Sequence, residues 1–293
     1  SIIREVYVEG VNNTDWEAVT QNEAHLFIGD FGNNSGGRQD LNIIKINKSD
    51  LLNNISDTVF GQTLFFKYRD QDDFSGPTNA HNYDCEAFIA TADSLYLFSK
   101  NWQNQEVRKY VLPFEWAGEY EAVYTESHEV GGLITDATID PISNNIVLLG
   151  YYDLGPGIYN SFVWLLWDYS SGNVFSGNKR KLEIGNMLTL GQTEGICLRP
   201  SSFKGYISSE QISSLITIPP KLFSFNFEQF LSNSTVALGD GQGQIKAYCY
   251  PNPFQSKVFL SNYKGEFQLY SALKGELLHE GLYDEHGLDF SAL

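Results

Sequence analysis

Positive charge is scarce in this chain. Nineteen Lys and Arg stand against 36 Asp and Glu, for a net charge of −17 and a pI near 4.6. Such a surface repels phosphate, which argues against nucleic acid as a partner. It favours solubility and an affinity for cations. Cysteine is scarce too: Cys85, Cys197 and Cys249 are an odd number, so no disulfide framework holds the fold. Cys85 and Cys197 fall in apolar strand patterns and are expected to be small buried hydrophobes. No apolar run approaches the roughly 20 residues that span a bilayer. No signal peptide is visible; the chain starts at Ser1 rather than Met, which implies a piece upstream that is removed or not shown. There is no Gly-Xaa-Ser-Xaa-Gly elbow, which excludes a serine hydrolase of the α/β type. HExxH, paired-Cys zinc spacing and a phosphate-binding Gly loop are missing as well.

Aromatics, by contrast, make up 14% of the chain. They sit in short runs with Val, Ile and Leu, cut by Asn, Gly, Asp and Ser turns, as in all-β chains. One pattern recurs. Asp15-Trp16-Glu17-Ala18-Val19 leads to Leu26-Phe27-Ile28-Gly29-Asp30, and Asp84-Cys85-Glu86-Ala87-Phe88 leads to Leu95 through Lys100. Thr135-Asp136-Ala137-Thr138-Ile139 leads to Ile146 through Tyr151, and Thr193-Glu194-Gly195-Ile196-Cys197 leads to Gly205 through Glu210. From Glu17, Glu86, Asp136 and Glu194 to the end of each second strand is about 13 to 16 residues, a repeat that sets the architecture.

Two further strands follow each pair. They are expected at Leu41–Asn47 and Gln62–Asp70, Val107–Pro113 and Tyr120–His128, Ser161–Tyr169 and Lys179–Ile184, and Lys221–Phe227 and Ile245–Tyr248. Four strands in roughly 50–70 residues match the blade of a β-propeller. The fourth strands carry Lys67, Arg69, Glu121, Glu126 and Lys179 and are expected as charged outer edges. The expected fold is therefore an all-β propeller over residues 1–247 with four visible four-stranded blades. Ile2–Glu9 has no partner upstream. It reads as the outer strand of a fifth blade that is mostly missing, or as a closing strand. After the double-proline break Tyr250-Pro251-Asn252-Pro253, residues 248–293 read as a small β-sandwich module, apparently truncated.

Strands around a propeller axis bring equivalent positions to one end of the channel. Glu17, Glu86, Asp136 and Glu194 are expected at one such position, and Asp30, Lys100, Tyr151 and Glu210 at another. Six carboxylates against one lysine raise one another's pKa or demand a cation. Ca²⁺, with its tolerance for several oxygen ligands, is the natural candidate. The same acids serve equally well to cap strand amides and to partner Arg38 and Lys100. His81, beside Asp84 and Glu86, is a base, a ligand or a satisfied turn residue.

Two family resemblances rest on these residues. Asp15-Trp16-Glu17, Gly29-Asp30-Phe31-Gly32-Asn33-Asn34, Arg38, His81, Asp84-Cys85-Glu86-Ala87, Thr135-Asp136-Ala137, Glu194-Gly195-Ile196 and Ser209-Glu210 resemble secreted bacterial propellers related to the "esterase-like activity of phytase" group. That family usually carries a further blade upstream, which here would make five. Residues 248–293, with Tyr250, Pro251, Asn252, Pro253 and Phe267-Gln268-Leu269-Tyr270, resemble the type A C-terminal sorting domain of the type IX secretion system of Bacteroidota. Asp57-Thr58-Val59 and Asp93-Ser94-Leu95 resemble O-glycosylation sites of exported proteins from the same group, on Thr58 and Ser94.

The resemblances imply a secreted or surface-displayed cargo protein that meets the secretion machinery through its C-terminal module. Its activity is expected to be binding, to a glycan, peptide or surface partner. A phytase-like metal-dependent esterase or phosphoesterase, using the acidic ring, is the competing reading. Against it, only Lys100 and Arg38 are expected near the axis to hold an anionic substrate. A structural part in a surface assembly is the third.

Overall fold

The computed structural model describes residues 4–52, 56–114, 119–155, 158–213 and 217–231, and the strand segments 248–250, 257–261, 265–270, 277–283 and 288–289. It is all-β, with 57% strand and 5% helix, so the sheets supply the core. Strand β1 (Tyr7–Glu9) comes first. The first unit holds β2 (Trp16–Gln21), β3 (His25–Asp30), β4 (Asn42–Asn47), the short helix α1 (Lys48–Leu52), β5 (Thr58–Phe60) and β6 (Gln62–Tyr68). The second is β7 (Asp84–Ala90), β8 (Ser94–Lys100), β9 (Glu106–Pro113) and β10 (Glu119–Glu129). The third is β11 (Leu133–Ile139), β12 (Ile146–Asp153), β13 (Tyr159–Trp167) and β14 (Asn178–Asn186), followed by α2 (Met187–Leu190). The fourth holds β15 (Gln192–Leu198), β16 (Lys204–Glu210), the small pair β17 (Ile212–Ser213) and β18 (Thr217–Ile218), and β19 (Lys221–Asn226), with α3 (Glu228–Leu231) after it.

Within each unit the main-sheet strands pair antiparallel in chain order, with β5 and the pair β17-β18 standing outside these sheets. Asx and hydroxyl turns close the hairpins, as at Asn22, whose Oδ1 accepts from the amides of Ala24 and His25 at 3.0 and 2.8 Å. Both faces of β7, β11 and β12 are buried along most of their length, whereas β2 and β15 keep exposed positions. Along β12, Ile146 and Leu148 enter one core while Val147 and Leu149 enter the next. This is the period-two alternation of a strand between two apolar layers. The first core joins units one and two through residues such as Phe27, Ile43, Leu64, Phe88 and Leu97. The second joins units two and three around Phe98, Ile134, Phe162 and Trp164, and the third joins three and four around Val163, Leu165, Ile196 and Ile207. Inner strand β7 packs beside both β2 and β11, and β11 beside β15.

Several expectations change here. The fourth strands of units one and two are not free edges: β6 and β10 pair in parallel, Phe65–Tyr68 against Glu119–Ala122. Lys67 and Arg69 bridge Glu121 across this seam at 3.3 and 2.9 Å. An eight-stranded sheet results whose end strands, β2 and β7, pack together, so it nearly closes around the first core. Among the described residues, strand β1 is not paired with the fourth unit. It pairs in parallel with β5. Val6, Val8 and Val11 then pack on Ile28, Ile44, Ile46 and Val59, covering the outer face of unit one. Among the described residues the main sheet of unit four has three strands, β15-β16-β19, beside the separate pair β17-β18; residues 245–247 of its expected fourth strand lie outside them. Tyr248 instead opens β20 (Tyr248–Tyr250), which pairs with β21 (Lys257–Ser261). Beyond these come β22 (Gly265–Tyr270), β23 (Leu277–Tyr283) and β24 (Leu288–Asp289), forming sheets β20-β21-β24 and β22-β23. Cys85 is buried as expected, but Cys197 is exposed, on the outer face of unit four.

Phe88 is fully buried in the first core, edge-on to Phe31 at 5.2 Å, whereas Val19 is 59% exposed. Phe88→Ala is therefore expected to lower unfolding stability by about 3–5 kcal/mol, and Val19→Ala by less than about 0.5 kcal/mol. Denaturant unfolding checks this; similar losses at the two positions would contradict the core assignment.

Candidate functional site

Each inner strand carries one extra residue. The register slips between Trp16 and Ala18, Cys85 and Ala87, Ile134 and Asp136, and Thr193 and Gly195. The bulged residues are thus Glu17, Glu86, Thr135 and Glu194. A bulge bends its strand and re-aims the side chain, and such bulges concentrate at functional rims. In β7 it also shifts the alternation: Cys85 and Phe88 share the first core, while Ala87 enters the second.

Three bulge glutamates meet around Lys100. The Lys100 ammonium, 3% exposed, bonds Glu86 Oε1 and lies over the rings of Trp102 and Tyr151, 5.0 and 5.5 Å from their centroids. Burial works against its charge, but Glu86, Tyr151 and Glu194 outweigh that and raise its pKa. Glu86 itself is 6% exposed. Its carboxyl is pushed well up by burial, opposed by Lys100 and reinforced by Glu194, Asp84 and Glu17. Burial likewise raises Glu194, half-buried, whose neighbours include Lys100, Gln192, Glu210 and Glu86. Glu17, also half-buried, is pushed up to about 8 by burial and by Asp15 and Asp84, against Lys100. The three titrate as a set: one lysine is too little positive charge for them, and protons supply the rest.

The other expected site residues have different places. Asp30, 1% exposed, accepts from the amides of Asp15 and Thr14 at 2.9 and 3.2 Å and from Arg38 at 3.1 Å. Arg38 also bonds Asp40 and the Gly32 carbonyl, each at 3.0 Å, so this pair locks the loop after β3. Asp136 is not the counterpart of the three glutamates; Thr135 is, and its hydroxyl donates to the Thr193 carbonyl at 2.9 Å. The Asp136 carboxyl accepts from the amides of Ala137 at 2.8 Å and Ile196 at 2.6 Å, stitching unit three to unit four. Burial pushes it up to about 8 even so. Lys100, Tyr151 and Glu210 do share a position, opposite Asp84, Leu133 and Gln192, but Asp30 falls one step short of it, opposite Trp16. Glu210 is exposed and reaches the group only as a charge neighbour of Glu194. His81 anchors a turn: Nδ1 accepts from the Tyr83 amide at 3.1 Å, so Nε2 carries the proton and donates to the Asn34 carbonyl at 3.0 Å. Thr58 is exposed in β5, while Ser94, expected in an exposed turn, is half-buried at the start of β8. Tyr250 ends β20; Pro251, Asn252 and Pro253 lie outside the described residues.

Sequence reasoning passed over Asp15, Asp84 and Trp102 as site residues. Asp84 Oδ1 accepts from the amides of Asn33 and Cys85 at 2.7 and 3.0 Å, and Oδ2 from the Trp102 indole at 2.9 Å. Asp15 and Glu17 lie side by side under Gly32, where an added Cβ would come within 2.4 Å of both carboxylates. The Asp-Xaa-Glu spacing at residues 15–17 and 84–86 was the available signal. Among the described residues, no group of three or more His, Cys, Asp or Glu side chains has a geometry that could hold a metal ion. No family model and no curated protein matches the chain.

Two outcomes follow. In Lys100→Met the buried Glu86 charge loses its partner. At about pH 8 this costs about 3–5 kcal/mol; the deficit shrinks as pH falls and Glu86, its carboxyl raised by burial, takes up a proton. A pH-independent deficit would contradict the pairing. Glu17 and Asp136 hold protons in the folded chain that the unfolded chain has released above its ordinary carboxyl range. Their contribution to stability is therefore lost as pH rises from about 4 through about 8. Glu17→Gln removes part of this loss. After allowance for the solvent that reaches Glu17, the variant gains about 1–2 kcal/mol over wild type at about pH 9. Thermal unfolding across pH reads it, and parallel curves would count against the raised Glu17 carboxyl.

Proposed function

We propose that the chain is a propeller-type binding protein that works outside the cell, with its ligand site at the acidic hub. Four stacked units whose inner strands adjoin in sequence, β2, β7, β11 and β15, support reading them as blades. The Pro-Asn-Pro opening and the small C-terminal sheets support export by type IX secretion, with residues 248–293 as the sorting module. The observation that carries the binding role is the meeting of Glu17, Glu86 and Glu194 around Lys100. Four separate units spend a backbone irregularity on the same level of the structure, and three of them use it to present an acid. The wall beside it is aromatic, through Trp102 and Tyr151. Carboxylates and aromatic faces together suit a glycan or a peptide.

Hydrolysis is the second reading. Glu17, half-exposed and protonated up to about 8, has the proton affinity of a general acid. The competing features are the missing nucleophile and the single nearby cation, Lys100.

An array of glycans and peptides, probed with wild type and with a Glu17→Gln/Glu194→Gln double variant, separates these from a purely structural hub. The binding reading predicts at least one ligand class held by wild type and lost in the variant, with the thermal midpoint kept or raised. Retention of every ligand by the variant, or a blank array, would overturn it. Turnover of an ester or phosphoester panel that Glu17→Gln abolishes would transfer the site to the hydrolase reading.

A further inference from the structure

Glu86 Oε2 is buried and finds no hydrogen-bond donor among the described residues. Its sister atom Oε1 takes the Lys100 ammonium. A further neighbour of the Glu86 carboxyl is the Glu194 carboxyl, another acceptor. Two acceptors in contact need a proton or a cation between them, and a buried oxygen left without either carries its full desolvation cost. This is a local, atomic vacancy for positive charge, distinct from the general acidity of the chain.

The kind of cation follows from the surroundings. A divalent metal needs several oxygens drawn to about 2.4 Å from one point. The described acids are not gathered in that way. An ammonium is satisfied by separate acceptors at ordinary hydrogen-bond distance and by ring faces within about 6 Å. The hub already holds one primary ammonium by these means, that of Lys100, between Glu86 and the rings of Trp102 and Tyr151. Glu17 and Glu194 are half-buried and Glu210 is exposed, so the acids of the set are not sealed from solvent.

We propose that Glu86, Glu194 and Glu17 form a receptor site for a protonated primary amine, which seats its ammonium at Glu86 Oε2 beside Lys100. The inference rests on the hub being the binding end, and narrows its ligand to one chemistry. A lysine side chain of an external peptide and a free aliphatic diamine both carry it. On binding, the ammonium takes the place of protons held by the set, and those protons leave to solvent. The titratable and charged groups facing the site are Asp15, Asp84, Glu210, Tyr151 and Lys100, besides the three glutamates. Asp84 is held by its three donors, and Lys100, its pKa raised, stays protonated throughout. Affinity therefore rises with pH as Glu17, Glu86 and Glu194 ionise.

Isothermal titration of the full chain at about pH 8 and low salt tests this. The probes are acetyl-lysine-amide blocked at the α-amine, a simple diamine, the neutral norleucine counterpart, calcium chloride and a neutral methyl glycoside. The expected result is binding of the lysine amide, the diamine or both, with none of the norleucine amide. Heats should differ between phosphate and HEPES buffers, neither of which carries a primary amine, which reports proton release, and Glu194→Gln should weaken binding roughly tenfold or more. Lysine amide alone points to a peptide source, diamine alone to a free amine. Amine binding unchanged in Glu194→Gln, equal binding of the norleucine amide, or calcium binding without amine binding would each overturn the amine site. Should Glu194→Gln fail to fold, the wild-type comparison of lysine with norleucine amide and the two buffers decides alone. Hub-dependent binding of the glycoside without amines would sink this inference and leave the binding reading standing; silence of all probes here and on the array would sink both.

Discussion

The central strands of this protein, β7, β11 and β12, are buried on both faces along most of their length, and that constraint shapes the rest. A strand between two cores cannot change register without sending each side chain into the wrong layer. The alternation of Ile146, Val147, Leu148 and Leu149 between the second and third cores shows how tightly this binds the sequence. The only freedom left near the strand starts is to add a residue. Each unit does so once, at Glu17, Glu86, Thr135 or Glu194. The bulge is what turns a polar side chain out of a packed layer, and repetition of the unit is what brings three such acids to one place.

Gathering acids in a partly dry place has an electrostatic consequence. The units solve it in different ways. Asp84 is saturated by two amides and an indole, Asp30 by two amides and Arg38, and Asp136 by two amides across the third seam. These are structural carboxylates. Glu17, Glu86 and Glu194 have fewer donors: Glu194 takes the Gln192 amide and Glu86 takes Lys100. The same contrast appears at the second seam, where Glu126 takes Lys109 at 2.6 Å and the amides of Val174 and Phe175 at 2.8 and 3.1 Å, a closed account of charge and hydrogen bonds. What sets the hub apart is therefore unmet acceptor capacity, rather than the number of acids.

Much of this was legible in the chain. Alternating apolar runs placed β2 and β3, β7 and β8, β11 and β12, and β15 and β16 to within a residue or two, since both-face burial leaves a strong pattern. The acids at 17, 86 and 194 stood out because they repeat. The error at Asp136 has a physical cause: a bulge is a main-chain register event, and Thr135-Asp136 offers two polar residues with nothing in the side chains to say which one is extra. Asp30 misled for a related reason, as the loop after β3 begins one residue earlier than after β8, β12 or β16. The parallel seam of β6 and β10 and the pairing of β1 with β5 are contacts between distant segments, and local composition does not encode them. The orphaned oxygen of Glu86 was likewise invisible, because it depends on which donors the fold fails to bring.

The central claim is that Glu17, Glu86 and Glu194 meet around Lys100 with too little positive charge. Carboxyl titration by NMR, on protein with isotope-labelled glutamate side chains, tests it most directly. The account predicts that the Glu17 resonance moves near pH 8, that Glu86 and Glu194 titrate well above the ordinary glutamate range, and that Lys100→Met alters all three curves together. Three independent titrations near the ordinary glutamate value of about 4.3, untouched by the loss of Lys100, would contradict it.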